Sequence, residues 1–347
     1  MDKFQICEVT GDLNHAGSKA PKDVSEIANK MGFKKLLLVK STNKQDAFSK
    51  INRQIVFYKE WKQIYNRITN NSIVLLQHPF RDRQLTRNNI LLKLKKKKSV
   101  KFICIVHDVE ELRKTLYDDY YKKEFEFMLT IADKLIIHNT SMAKFFMSKE
   151  VPSDKLINLE IFDYLKPYDN LKKIKFSKNI VIAGNLDSNK SSYLKELNKI
   201  NVRFTLYGPN FSLQEFKNID YKGSYPANKI PQLLNSGFGL IWDGESILKC
   251  SGPTGNYLKY NDPHKLSLYL ASGLPVIIWN KAAESKFVKQ NKVGFTVSAL
   301  TDIPEKLDKV SLEDYTLYCN NARKLAKQLS NGFFTERAIE KAVNTLK

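Results

Sequence analysis

Cysteine is scarce. There are four in 347 residues, at Cys7, Cys104, Cys250 and Cys319, and no two lie within four positions of each other. That spacing excludes zinc ribbons and dithiol redox motifs. Cys7 and Cys104 stand inside apolar runs, as buried thiols of a reducing compartment do. No segment approaches the ~20 apolar residues that span a bilayer, and Met1 to Thr10 lacks the basic-then-apolar order of a signal peptide. The expectation is a soluble, cytoplasmic protein. Phosphate-binding signatures are also missing. Neither a Gly-x-x-x-x-Gly-Lys loop nor a Gly-x-Gly-x-x-Gly turn after a strand occurs, so P-loop NTPases and ordinary dinucleotide enzymes lose support. No Asp-x-Asp follows a strand and no histidines stand at metal spacing, which argues against a required divalent metal. Gly-x-Ser-x-Gly is absent as well.

Positive charge, by contrast, is abundant. Lys plus Arg number 57 against 36 Asp plus Glu, a formal +21. Such a balance favours a polyanion, an anionic membrane surface or a phosphate-bearing ligand without choosing among them. Hydrophobic residues at 42% and aromatics at 11% are ample for a buried core. The length is roughly twice that of a common single domain.

Short apolar runs alternate with segments of helical period. Phe4–Val9, Lys35–Val39, Ile73–Gln77, Val100–Val106, Leu135–Ile137 and Leu156–Leu159 read as strands. Helices fall between them at Pro21–Met31, Ala47–Arg67, Arg87–Leu94 and Asp118–Ile131. From Phe162 to Lys178 the period fails, which reads as an interdomain linker. The order then restarts, with strands at Asn179–Ala183, Arg203–Tyr207, Gly239–Trp242, Val276–Trp279 and Gly294–Val297. Helices are expected at Tyr193–Lys199, Lys229–Asn235, His264–Ala271 and Ala283–Lys289, and the tail from Ser311 is helical with a break at Asn331-Gly332. Strands that are continuously apolar are covered by helices on both faces. The architecture predicted is therefore α/β: two Rossmann-like, doubly wound domains across a cleft, spanning residues 1–165 and 175–325. A final helix over 326–347 is expected to pack back on the first domain.

In open parallel sheets ligands sit beyond the carboxyl ends of the strands. The strongest signal of that kind is Asn261-Asp262-Pro263-His264-Lys265-Leu266. Asn261 or Asp262 suits an N-cap and Pro263 the first turn. A lysine in that turn opposes the helix dipole, unless a phosphate binds there and Lys265 joins its cradle; the alternative is a surface lysine on a capped helix. Asp243–Tyr260 is a Gly- and Ser-containing loop able to cover a ligand, or a mobile insertion. Gly184-Asn185 follows a strand, with Lys190 close behind, and Gly184 would let backbone approach a ligand. His107-Asp108 ends another strand and supplies a candidate base or hydroxyl-positioning pair. His138, His78 and the Gly11–Lys19 loop are placed near the same cleft. The one low-complexity piece, Lys93–Lys98, suggests a nucleic-acid-binding α/β protein as the competing class, although no RNP, KH or zinc-finger pattern accompanies it.

Several of these segments resemble bacterial galactofuranosyltransferase-like proteins and the related glucosyltransferases that extend O-glycans on serine-rich adhesins. The resemblance runs through Phe102–Leu112 (FICIVHDVEEL), Ile131–Ser141 (IADKLIIHNTS), Gly184-Asn185, Asn235–Asp243 (NSGFGLIWD) and Tyr257–Trp279 (YLKYNDPHKLSLYLASGLPVIIW). It implies a GT-B fold and transfer of a hexosyl unit from a UDP-sugar, UDP-galactofuranose or UDP-glucose, to a glycan hydroxyl on a protein or lipid carrier, without a cofactor or metal. It also implies donor contacts from Gly184, Asn185, Tyr225, Asp262, His264 and Lys265. Adhesin-type enzymes carry an arginine in the Gly184 loop, where this chain offers only Lys190. Gly17, Ser18, His78, His107 and Asp108 would face the acceptor, with Asp108 the choice for base if transfer inverts the anomeric centre. Peripheral contact with the inner face of an anionic membrane, and self-association, stay open.

Overall fold

The structure is a computed structural model and describes residues 1–9, 19–166, 174–212 and 216–346. The first domain holds β1 (Lys3–Val9), β2 (Lys34–Val39), β3 (Ile73–His78), β4 (Lys101–Val106), β5 (Lys134–Ile137) and β6 (Leu156–Asn158). They form one parallel sheet in the order β2-β1-β3-β4-β5-β6. Its helices are α1 (Lys19–Lys30), α2 (Ala47–Arg67), α3 (Arg87–Lys98), α4 (Glu110–Arg113), α5 (Asp119–Ile131) and α6 (Thr140–Ser148).

The second domain repeats the plan with β7 (Lys175–Ala183), β8 (Phe204–Tyr207), β9 (Ile219–Tyr221), β10 (Ser236–Ile241), β11 (Val276–Trp279) and β12 (Gly294–Val297), ordered β12-β11-β10-β7-β8-β9. Among its helices are α7 (Ile230–Leu233), α8 (Gly252–Tyr257), α9 (His264–Ala271), α10 (Ser285–Gln290) and α11 (Ile303–Asp308). The long α12 (Leu312–Asn331) and α13 (Phe333–Asn344) close the chain. The expected doubly wound α/β class is found in both halves. All recorded strand pairs are parallel, and the central strands β4 and β11 are buried almost end to end, as two helix-covered faces require.

On the first sheet, α2, α3, α5 and α6 cover one face with Phe57, Trp61, Leu91, Phe125 and Phe146. The other face is covered by α1 and α13, and its core runs without interruption into that of the second domain. The crossing is made by the chain end: α12 packs on α9 and β7, Gly332 turns it in the left-handed region (φ 86°), and α13 lies on α1, β4, β5 and β6.

Some local readings are refined or corrected. Phe162–Tyr164, taken as linker, is buried, and β7 starts at Lys175, not Asn179. The helix expected at Tyr193–Lys199 is present over Ser192–Lys199 and is of the 3-10 type. The loop after β10 contains α8, and β9 and α6 are additional elements.

Candidate functional site

The two domains meet at the carboxyl ends of β4, β5 and β6. Val109 N–H donates to the Tyr257 hydroxyl at 3.0 Å. Asn139 Nδ2 donates to Tyr260 O and Glu284 Oε1 at 3.0 and 2.8 Å. Asp262 N–H donates to His138 Nδ1 at 2.8 Å, while the Asp262 carboxylate accepts from Phe162 N–H. His138 Nδ1 is thus an acceptor, so its Nε2 carries the proton and donates to Val106 O at 3.0 Å. Burial pushes this imidazole down to about 4, and it joins the domains as a neutral ring.

Immediately beyond that seam α9 begins. Its N-cap is Pro263, with no side-chain cap; Asp262 does not cap because its carboxylate is drawn to Phe162. The N–H groups of the first turn therefore keep their positive end of the dipole unanswered by a side chain. Lys265 extends from this turn to the carboxyl end of β10, where Nζ donates to Trp242 O at 3.1 Å and pairs with Asp243 Oδ1 at 2.7 Å. His264 stacks on Tyr164 with ring centroids 5.1 Å apart, and burial lowers its pKa to about 4. From the first domain, Lys19 at the start of α1 reaches the same place. Its Nζ lies 4.7 Å from the Tyr164 ring centroid, bonds Leu165 O at 2.8 Å and depresses His264 further. The sequence placed the Gly11–Lys19 loop near the cleft without singling out Lys19 as a partner of Tyr164 and His264.

A row of glycine loops flanks α9. Gly184 N–H donates to Tyr207 O, Gly208 N–H to Gly223 O and Leu186 N–H to Pro209 O, so the loops after β7, β8 and β9 are tied together. Asn185 Oδ1 accepts from Asn210 Nδ2 at 2.9 Å. A Cβ on Gly208 (φ 146°) would lie 1.7 Å from Gly184 O, so only glycine permits this approach. Above Gly184 a Cβ would meet nothing within 4 Å, so its surface is open. Tyr225 stands on this row, partly exposed, with its ring 6.3 Å from that of Tyr207. Lys190 is exposed in the loop after β7. Deeper, the Tyr269 hydroxyl accepts from Ala183 N–H at 2.8 Å and fixes α9 to the end of β7.

On the opposite side, Asp108 Oδ2 accepts from Arg81 at 3.3 Å and Arg113 at 3.0 Å, two partners that sequence reading did not anticipate. His107 stacks on Phe162 at 5.2 Å and its Nε2 lies 2.7 Å from Gln77 Oε1; burial lowers its pKa to about 3. His78 is buried beneath the surface, its Nδ1 3.5 Å from Glu124 Oε1, and so does not line the cleft. Gly17 and Ser18 lie outside the described residues. Among the described residues no group of three His, Cys, Asp or Glu side chains is placed to hold a metal ion, and no helix is long and apolar enough to cross a membrane. Two lysines of the run are tied inward, Lys95 to Ile131 O and Asp133 and Lys98 to the carbonyls of Tyr65 and Ile68, while Lys93, Lys96 and Lys97 are exposed.

The arrangement has counterparts of known sequence and structure. The β-1,6-galactofuranosyltransferase WbbI of Escherichia coli K12 is 34% identical over 252 residues, covering 71% of this chain and 72% of that protein. Glucosyltransferase 3 of Streptococcus gordonii is 24% identical over 331 residues, 93% of each chain. Among solved structures, the Anabaena protein HepE in complex with UDP superposes with a TM-score of 0.62 at 10% identity, over 99% of this chain and 100% of that one. The galactosyltransferase WaaB, in its apo form, gives 0.58 at 10% identity over 99% of both. The fold is GT-B. Residues 3–161 match the N-terminal domain and residues 180–342 the C-terminal domain of the glucosyltransferase 3-like family, and the chain belongs to that family.

Proposed function

We propose that the protein is a glycosyltransferase that moves a hexosyl unit from a UDP-sugar to a glycan hydroxyl. Family membership supports the reaction class, and no feature of the fold supports the nucleic-acid alternative. The observation that carries the donor site is the uncapped amino end of α9 with Lys265 held beside it. Bond breaking at the anomeric carbon leaves a diphosphate with growing negative charge. The α9 N–H groups and Lys265 offset that charge, the role a metal plays elsewhere. Gly184 gives the phosphates an open backbone surface, and Tyr225 packs near the nucleotide. Asp262 and His264 act from beneath, shaping the start of α9.

The acceptor hydroxyl is assigned to the first-domain side. His107 Nε2 is engaged with Gln77 and its ring is stacked on Phe162, so Asp108 is assigned the hydroxyl proton for an inverting transfer, with His107 beside it as a positioning group. Both arginine bonds fall on Asp108 Oδ2, and Oδ1 is assigned to the acceptor. The glycan acceptor is carried by a protein or by a lipid at an anionic membrane surface.

Thermal unfolding with UDP, GDP, UDP-glucose, UDP-galactose and UDP-galactofuranose, each with and without EDTA, tests the reading. A ligand at a hundred times its Kd stabilises the native state by about 2.7 kcal/mol. Uridine ligands are expected to raise Tm, GDP not, and EDTA to change nothing. Equal shifts with GDP, or none with any uridine ligand, overturn the donor assignment; loss of the shift in EDTA overturns metal independence.

A further inference from the structure

The inner side of α2 is buried at Arg53, Phe57, Trp61 and Ile64. With 3.6 residues per turn, Phe48, Ile51, Ile55 and Tyr58 fall together on the opposite side. They are 80%, 62%, 49% and 53% exposed, an apolar stripe facing away from the core at heptad spacing. Leu85, 79% exposed, adds to it, because the loop carrying it is tied to α2 by Gln54, which bonds Arg83 O and Leu85 N–H. Single exposed apolar side chains need no explanation, but a contiguous row does.

The surroundings of the row are basic. Lys59 and Lys62 continue its outward side, and the neighbouring α3 presents Lys93, Lys96 and Lys97 to solvent. Acidic charge is sparse: α3 has none, the only carboxylate within α2, Glu60, accepts from Val39 N–H, and Asp46 caps the start of α2 by accepting from Ser49 N–H. An apolar stripe with lysines beside it, on a helix lying along the surface, is the pattern of a helix seated at the headgroup level of an anionic bilayer. A second copy of the chain is a poorer occupant, since a two-fold contact over this face would bring together two patches of the same net positive charge. The stripe begins at the carboxyl end of β2, on the same rim as the loop after β3 that carries Arg81 to Asp108.

We propose that the outer face of α2 and α3 docks the enzyme on an anionic lipid surface, with the acceptor-side rim turned toward it. The acceptor's location rests on the proposed transferase function; the docking does not. Flotation of the full chain with vesicles of phosphatidylcholine, alone or with about 30% phosphatidylglycerol, tests it directly. Flotation is expected only with the anionic vesicles and is expected to weaken as salt rises. A triple variant, Phe48→Ser, Ile51→Ser and Ile55→Ser, should lose at least about tenfold in vesicle affinity, and so should Lys93→Glu with Lys96→Glu and Lys97→Glu. Both should keep the wild-type circular dichroism spectrum and the thermal shift with uridine ligands. The proposal fails if wild type does not float with anionic vesicles, or if either folded variant floats as wild type does. It fails equally if the apolar variant changes only the sedimenting mass, which assigns the stripe to self-association. A lost uridine shift with flotation intact sinks the donor assignment instead.

Discussion

Lys265 shows how one side chain can matter to chemistry and little to folding. Its ion pair with Asp243 is partly exposed on both sides, a kind of pair worth no more than about 1 kcal/mol. Lys265→Ala should therefore change stability by less than about 1 kcal/mol while lowering kcat/KM by about a hundredfold or more, as loss of a preorganised charge at a leaving group does. Asp243→Asn separates the roles. If Lys265 serves the diphosphate, this variant keeps or improves UDP affinity in a calorimetric titration, whereas Lys265→Ala weakens it. Parallel loss in both would reduce Lys265 to a strut for the β10 loop. At this scale the sequence was partly legible. A lysine in the first turn of a helix, and a glycine after a strand, are anomalies visible in one dimension. The partners are not: Asp243 lies 22 positions away, and Arg81 lies 27 from Asp108. Only the fold brings them together.

Among the elements, the glycine loops after β7 and β8 make a sharper test than any helix. A Cβ on Gly208 meets the Gly184 carbonyl, whereas a Cβ on Gly184 meets open space and pays only for its φ of 153°. Gly208→Ala should cost at least about 1–3 kcal/mol in urea unfolding, and more than Gly184→Ala. Gly184→Ala should act chiefly on donor affinity, by narrowing the surface offered to the phosphates. The reverse order in stability would mean that the loops are not packed as described. Elements of long apolar run were readable because burial on both faces leaves no polar position to confuse the period. Those missed are short or mixed. β9 has three residues, none fully buried, and the first residues of β7 are polar or exposed. Phe162–Tyr164 passed for linker because its burial comes from the other domain and from α12, not from a periodic face of its own.

Across the whole molecule, the seam between the domains sequesters carboxyls that ordinarily lose their protons well below neutrality. Burial raises Asp163 to about 7 and Asp262 to about 8, and pushes Glu284 up as well. Asp163 accepts from Phe334 and Thr335 N–H of α13, so these groups bind the chain end as well as the second domain. The folded protein retains protons that the unfolded chain releases near pH 4, and stability from these groups is full below that value and declines as pH rises through 7 and 8. The histidines work in the opposite sense. His107, His138 and His264 are depressed from 6.5 to between about 3 and 4, so their contribution is full above 6.5 and fades on acidification. The two trends oppose each other below pH 6.5, and above it the carboxyls act alone. Between pH 6.5 and 8, unfolding free energy should therefore fall with rising pH, by up to about 1.4 kcal/mol per unit for each retained proton. Asp262→Asn isolates the group, because the amide oxygen still accepts from Phe162 N–H and position 262 no longer titrates, while Asp163 and Glu284 do. Its denaturation curves should show a flatter pH dependence than wild type and a relative gain in stability at pH 8. An unchanged slope would place the titrating proton elsewhere and leave Asp262 as an ordinary hydrogen-bond acceptor in the joint between the lobes.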